Sequence, residues 1–271
     1  ADDKLEGRMT GSPGYDAAAK YVADRFAELG LTPGNNGSWY QQVPFAEARK
    51  KPNAPSYIRI GDTEFPNGVD VVMTPNGATP DLDIEADAVF VGYGIDGPEI
   101  GSNDYDGVDV RGKIAVVLYP FPKGAPSETA AHMLNEKAAM AKKHGAVGLL
   151  SIHTPMREKV ITWGLMGQRV DQPDIKWMGD DGKPRYPGPN LPVVATIGPK
   201  AAEALFEGAP VPLSQIYAEM EKEGAKPKGF PLTKKVRIER HSNVRRLQSP
   251  NVLGILEGSD PAVKDEYIVL S

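Results

Sequence analysis

The chain contains no cysteine. Disulfides, thiolate zinc sites and cysteine nucleophiles are therefore excluded. Histidine is scarce: His132, His144, His153 and His241 are the only four. No pair of them has HExxH or zinc-finger spacing. No apolar run approaches the ~20 residues of a membrane-crossing helix, so no membrane span is expected. Positive charge is not in excess either. Thirty-one Lys and Arg stand against 36 Asp and Glu, a net charge of −5. That balance argues against a nucleic-acid partner, which needs a basic face for phosphates. There is no GxSxG elbow, no P-loop and no GxGxxG; Gly92-Tyr93-Gly94 is too short to count. The opening ADDKLEGR is charged and does not read as a signal peptide.

What is present describes a globular protein. Forty per cent of the 271 residues are hydrophobic, enough for a core in one large or two ordinary domains. The 29 glycines and 25 prolines follow no period and point to many turns and short strands.

A first helix is expected after Ser12 as cap and Pro13 in the first turn, closing at Gly30. Tyr15, Ala18, Ala19, Val22, Phe26 and Leu29 give it an apolar face. WYQQVPF (39–45) alternates like a strand, and ARKKPNAPS from Ala48 reads as a linker. Valine- and isoleucine-rich strands follow at 56–60, 69–73, 88–94, 113–118, 146–152 and 192–197. A long helix from Glu128 to His144 carries an alanine–leucine stripe and ends at Gly145, and shorter helices are expected at 200–206 and 213–223. Thr154 to Asn190 reads as a long irregular loop. Past Pro231, segments 234–240, 251–258 and 266–271 read as strands.

Candidate chemistry is sparse. His132 and Glu136 lie one helical turn apart and could share a metal, but no third ligand accompanies them. His153 follows a strand, where an α/β site can form. DLDIEAD (81–87) lacks the glycine and distal glutamate of a calcium loop and reads as a solvated loop. NDYDG (103–107) reads as a tight turn. Lys234, Lys235, Arg237, Arg240, Arg245 and Arg246 alternate with apolar residues, as on a solvated strand face. By motif, the chain offers no catalytic, cofactor-binding or metal-ligating residue.

Longer stretches carry a resemblance. LEGRMTGSPGYDAAAKYVADRFAELGL (5–31) resembles the start of zinc aminopeptidases of the aminopeptidase Y type, relatives of glutamate carboxypeptidase II and the transferrin receptor. Glu6, Gly7, Arg8, Gly11, Gly14, Tyr21, Phe26, Gly30 and Leu31 stand at matching positions. ADAVFVGYGI (86–95), NDYDGVDVRGKIAVVL (103–118) and KAAMAKKHGAVGLLSIH (137–153) resemble the family's protease-associated domain. SPNVLGILEGSDPAVKDEYIVLS (249–271) resembles the return into the peptidase domain. The resemblance implies an α/β fold: a partial peptidase domain (1–48 and 236–271) interrupted by a β-rich α+β protease-associated domain (49–235). It implies two zinc ions and peptide substrates for the intact enzyme, in a secreted or periplasmic setting. In the family the metal ligands follow the strand that matches EYIVLS, beyond Ser271, and none of the four histidines matches a ligand position. This chain alone is thus expected to bind no zinc and to be inactive. The alternative is a noncatalytic, receptor-like module on the same scaffold.

Overall fold

A computed structural model describes residues 3–98, 101–186, 191–263 and 266–270. A 3-10 turn (Asp3–Arg8) leads into α1 (Pro13–Glu28), then β1 (Thr32–Pro33) and β2 (Tyr40–Lys50). Next come β3 (Tyr57–Ile60), β4 (Thr63–Pro66), β5 (Val71–Met73) and β6 (Asp81–Phe90). A short pair, β7 (Asp96–Gly97) and β8 (Ser102–Asn103), precedes β9 (Ile114–Leu118), α2 (Ser127–Lys143) and β10 (Gly148–Ile152). Then follow α3 (Pro155–Glu158), α4 (Trp163–Gly167), β11 (Asp174–Trp177) and β12 (Val193–Ile197). The chain closes with α5 (Pro199–Phe206), α6 (Leu213–Met220), β13 (Phe230–Val252) and β14 (Gly254–Ile255).

The chain divides into two compact units. The smaller comprises Ala1–Glu47, Ile175–Pro184 and Arg245–Ser271. Ser12 caps α1 as its spacing predicts, accepting from the Tyr15 amide at 3.2 Å. Gly30 takes φ +81° just past the helix, a conformation that glycine adopts without strain. The buried face of α1 is narrower than expected. Gly14, Ala19 and Ala23 are covered, whereas Val22 and Leu29 are exposed. Buried Glu47 accepts from Nε of Arg245, whose side chain otherwise stays solvent-exposed, as expected of a charged strand face.

The larger unit, Ala48–Asp174 with Arg185–Val244, is built on a mixed sheet in the order β13-β6-β9-β10-β12-β5. β6, β9, β10 and β12 are mutually parallel. β13 and β5 add antiparallel edges, and β3 with β4 extends the β13 side. The residues of β9, Ile114–Leu118, are all fully buried. An unbroken apolar run is what a strand covered on both faces requires. Ile114, Val116 and Leu118 pack with Leu205, Phe206 and Ile216 of α5 and α6. Ala115 and Val117 pack with Ala141 of α2. The fold is thus α/β, as the sequence implies.

Several expectations are corrected. DLDIEAD is most of β6, not a loop. Its charged residues lie along one face, where Asp83 receives both Arg237 Nε and Nη2 at 2.8 Å. The linker expected from Ala48 begins only at Lys51, because β2 runs on through Lys50. The region after Thr154 is not irregular: it holds α3, α4, a 3-10 turn and β11, although its last four residues, 187–190, lie outside the described residues. EYIVLS forms no strand over its described part, 266–270. Tyr267, Ile268, Val269 and Leu270 are 79 to 92% exposed. A strand needs a partner for its backbone groups, and among the described residues nothing pairs with this one. Ser271 lies outside the described residues.

Candidate functional site

In a parallel sheet with helices on both faces, chemistry gathers beyond the carboxyl ends of the strands. In the larger unit those ends are the segments after Phe90, Leu118, Ile152 and Ile197. The Val91–Ile95 turn leaves β6 through Gly92 and Gly94, both at positive φ. A side chain at Gly92 would meet the Pro227 carbonyl at 2.6 Å, so only glycine fits this turn.

Two polar clusters occupy this end of the sheet. In the first, Lys137 enters from α2 and is 3% exposed. Its Nζ donates to Leu118 O at 2.8 Å and to Pro120 O at 2.5 Å, and lies 5.9 Å from the Tyr93 ring centroid. Asp104 accepts from the Ile95 amide and from the Ser102 hydroxyl, each at 3.0 Å. Burial pushes the Lys137 amine down to about 7, against an upward pull from Asp104. Burial also raises the Asp104 carboxyl, opposed by its hydrogen bonds, and lifts Tyr93 to about 12. The buried hydroxyls of Tyr93 and Tyr105 have no hydrogen-bond partner among the described residues.

In the second cluster, buried His153 bonds through Nε2 to Glu158 Oε2 at 2.7 Å. Thr154 Oγ1 donates to Tyr119 O at 2.6 Å and caps α3. Arg157 stacks on the Tyr119 ring at 4.0 Å. Glu158 also accepts from the Trp163 amide, and Trp163 Nε1 donates to Val69 O at 2.7 Å. Trp163 meets the His153 ring edge-on at 5.2 Å. The histidine is buried against the tryptophan, and its bond to Glu158 ties the end of β10 to α3. Nearby, a cavity of about 320 Å³ is lined by Pro122–Pro126, Glu223, Gly224 and Lys226.

The other histidines are structural or solvent-facing. His144 stacks on Tyr105 at 4.1 Å and bonds Asp96 at 3.0 Å. His241 bridges Asp81 at 2.7 Å and Glu239 at 3.2 Å. His132 is exposed on α2. Among the described residues no three His, Asp or Glu side chains converge as metal ligands. The described residues therefore do not by themselves fit a zinc ion.

Sequence reasoning missed Lys137 and Arg240. Both were legible as intruders. Lys137 stands four residues from Met133 and from Ala141, on the buried stripe of α2. Arg240 continues the Val236–Ile238 face of β13 and is buried, contrary to its expected place on a solvated face. It donates to Thr79 O, Thr79 Oγ1 and Pro192 O.

No family model and no curated protein matches this chain. Among the solved structures similar to it are two aminopeptidases. An aminopeptidase from Aneurinibacillus sp. strain AM-1 aligns at 15% identity over 93% of this chain and 46% of that one, with a TM-score of 0.44. BSAP, a zinc aminopeptidase from Bacillus subtilis, aligns at 13% identity over 93% and 44%, with a TM-score of 0.35. The chain thus spans less than half the length of either.

Proposed function

We propose that this chain is the front part of a zinc-dependent aminopeptidase that removes N-terminal residues from peptides. In this reading residues 49–235 are a protease-associated domain that shapes access to the substrate, and the intact enzyme is secreted or periplasmic. Its two zinc ions are held by residues outside this chain. The observation that carries the reading is the order of the matching blocks and the elements they occupy. Block 5–31 contains the whole of α1. Blocks 86–95, 103–118 and 137–153 fall on the end of β6, on β9, on the last turns of α2 and on β10, which are the parallel core of the larger unit. Block 249–271 takes in the end of β13 and β14.

The reading frame past Ser271 tests this. The family resemblance implies a histidine within about three residues and an aspartate two positions later; that spacing suits one site, because alternate residues of an extended chain project to one side. A stop codon, or a continuation that matches the family but lacks both ligands, overturns the zinc reading in favour of a receptor-like module. Residues 1–271 alone should not hydrolyse leucine-p-nitroanilide with added zinc. Turnover that copurifies with the chain and is abolished by a chelator contradicts the assignment of the ligands to the remainder.

A further inference from the structure

We propose that Asn36 is a self-modification site in the smaller unit: its side-chain amide is lost spontaneously in water, and the product loosens the hairpin that holds Leu253.

The chain has three Asn-Gly pairs, Asn36-Gly37, Asn67-Gly68 and Asn76-Gly77. In such a pair the glycine nitrogen, unshielded by a side chain, can attack the asparagine Cγ. The N–Cγ bond forms, the Cγ–Nδ2 bond breaks, and ammonia leaves with the amide proton. Water then opens the succinimide at either carbonyl, giving aspartate or isoaspartate. The sequence does not separate the three sites, but the structure does. At Asn67 both ends of the side chain are held: Nδ2 donates to Ser56 Oγ and Met73 O, and Oδ1 accepts from the Met73 amide. The nitrogen that would attack there, the Gly68 amide, donates to Val71 O at 2.8 Å. At Asn76, Oδ1 accepts from the Ala78 and Thr79 amides at 2.8 and 3.0 Å, and the Gly77 amide donates to the Tyr186 hydroxyl at 3.0 Å. At Asn36 neither reactant is held by the protein. Asn36 and Gly37 are exposed, and among the described residues neither the Asn36 side chain nor the Gly37 amide has a hydrogen-bond partner. A Cβ placed on Gly37 would meet nothing within 4 Å.

The turn supplies the consequence. Asn36 and Gly37 take φ of +49° and +85° at the tip of a two-residue hairpin. Two successive positive φ values are the turn pattern that Asn-Gly favours. The hairpin is closed by the Asn35 amide on Ser38 O at 3.0 Å and the Ser38 amide on Asn35 O at 2.9 Å, with Asn35 Nδ2 on Tyr40 O at 2.8 Å. Attack requires Asn36 to rotate out of the turn, and a hairpin one bridge long opens locally. Isoaspartate adds a methylene to the main chain, which a two-residue turn does not accommodate. Either side of the tip, the Gly34 amide donates to Leu253 O at 2.9 Å and the Leu253 amide donates to Trp39 O at 2.8 Å. Conversion therefore adds one negative charge and loosens these two bonds. The pairing of Pro33 with Gly254 remains, so the effect stays local.

The experiment incubates residues 1–271, folded and in urea, in mildly alkaline buffer. Peptide mapping by mass spectrometry distinguishes asparagine, aspartate and isoaspartate at each site. In urea the three sites should convert at comparable rates. In the folded protein Asn36 should convert at least about tenfold faster than Asn67 and Asn76, which must first open locally. Hydrogen exchange of the Leu253 amide should quicken as the isoaspartate fraction grows. Asn36→Gly keeps the turn and lacks the amide, so its Leu253 exchange should not change with incubation. Folded Asn36 converting as slowly as the other two, or all three converting alike, overturns the proposal. So does Leu253 exchange that is unmoved by conversion. The mapping needs no variant and stands as a test by itself.

Discussion

At the scale of single residues, the larger unit departs from an ordinary apolar core at Lys137 and Arg240. A cation out of water is tolerated only where its donors are met. Arg240 meets them with three neutral oxygens and leaves Nε without a partner. Burial lowers its affinity for the proton. Arg240→Ala removes the group that ties Thr79 and Pro192 to β13 and leaves their carbonyls short of a donor. A loss of about 2–3 kcal/mol is expected from urea unfolding. A value within ~0.5 kcal/mol of wild type would mean that water replaces the guanidinium without loss. Both cations were readable from periodicity alone, because each interrupts a stripe of apolar residues. Their partners were not. Leu118 and Pro120 face Lys137 only because α2 crosses the end of β9, and no local pattern encodes that crossing. His153 shows the converse: its place after a strand was legible, but the tryptophan that covers it comes from ten residues further on.

At the scale of elements, helices were the more legible. α1 and α2 announce themselves by caps, stripes and terminal glycines, signals that lie within one segment. Ser12→Ala should cost about 1 kcal/mol of stability, the usual worth of a side-chain cap, measured by thermal or urea unfolding. Strands depend on neighbours, and there the reading failed in both directions. Asp81–Asp87 alternates charged and apolar residues, which is a strand signal that its acidity concealed. Glu266–Leu270 has strand composition but no partner among the described residues. Ile268 is 92% exposed, so Ile268→Asp should leave unfolding of residues 1–271 within about 0.5 kcal/mol of wild type. A larger loss would show that this segment packs in solution.

At the scale of the molecule, we propose that residues 48–244 form a unit able to fold alone. They contain all three core clusters, two of them packed on the strands of the parallel sheet. A dispersed amide spectrum is expected for this piece, and a collapsed one would refute the division. Its pH response combines two opposed contributions. His241 is raised by its hydrogen bonds to Asp81 and then Glu239. Its contribution is fully present below about 6.5 and is lost as pH rises through the raised value. His241→Gln should therefore be most destabilising near pH 5 and neutral near pH 9, and high salt should shrink the difference because the pair is exposed. Lys137 acts in the other sense, since its lowered value makes the folded state gain as pH rises from about 7 to about 10.

The pairing of β13 with β6 has a consequence in time. Arg237 and Asp83 are 154 residues apart in the chain. At ribosomal speeds of about 5–20 residues per second, β6 waits roughly 8 to 30 s for its partner. Through that interval the Asp81–Asp87 edge, later covered by β13, presents bare backbone donors and acceptors. Its alternating carboxylates then do a second service. Like charges on neighbouring nascent chains repel, so the unpaired edge is guarded against a stranger's strand until Arg237 arrives to neutralise it. Chains stalled before residue 230 should consequently stay dispersed, and replacing Asp81, Asp83 and Glu85 by asparagine or glutamine should make those stalled chains aggregate in a pelleting assay.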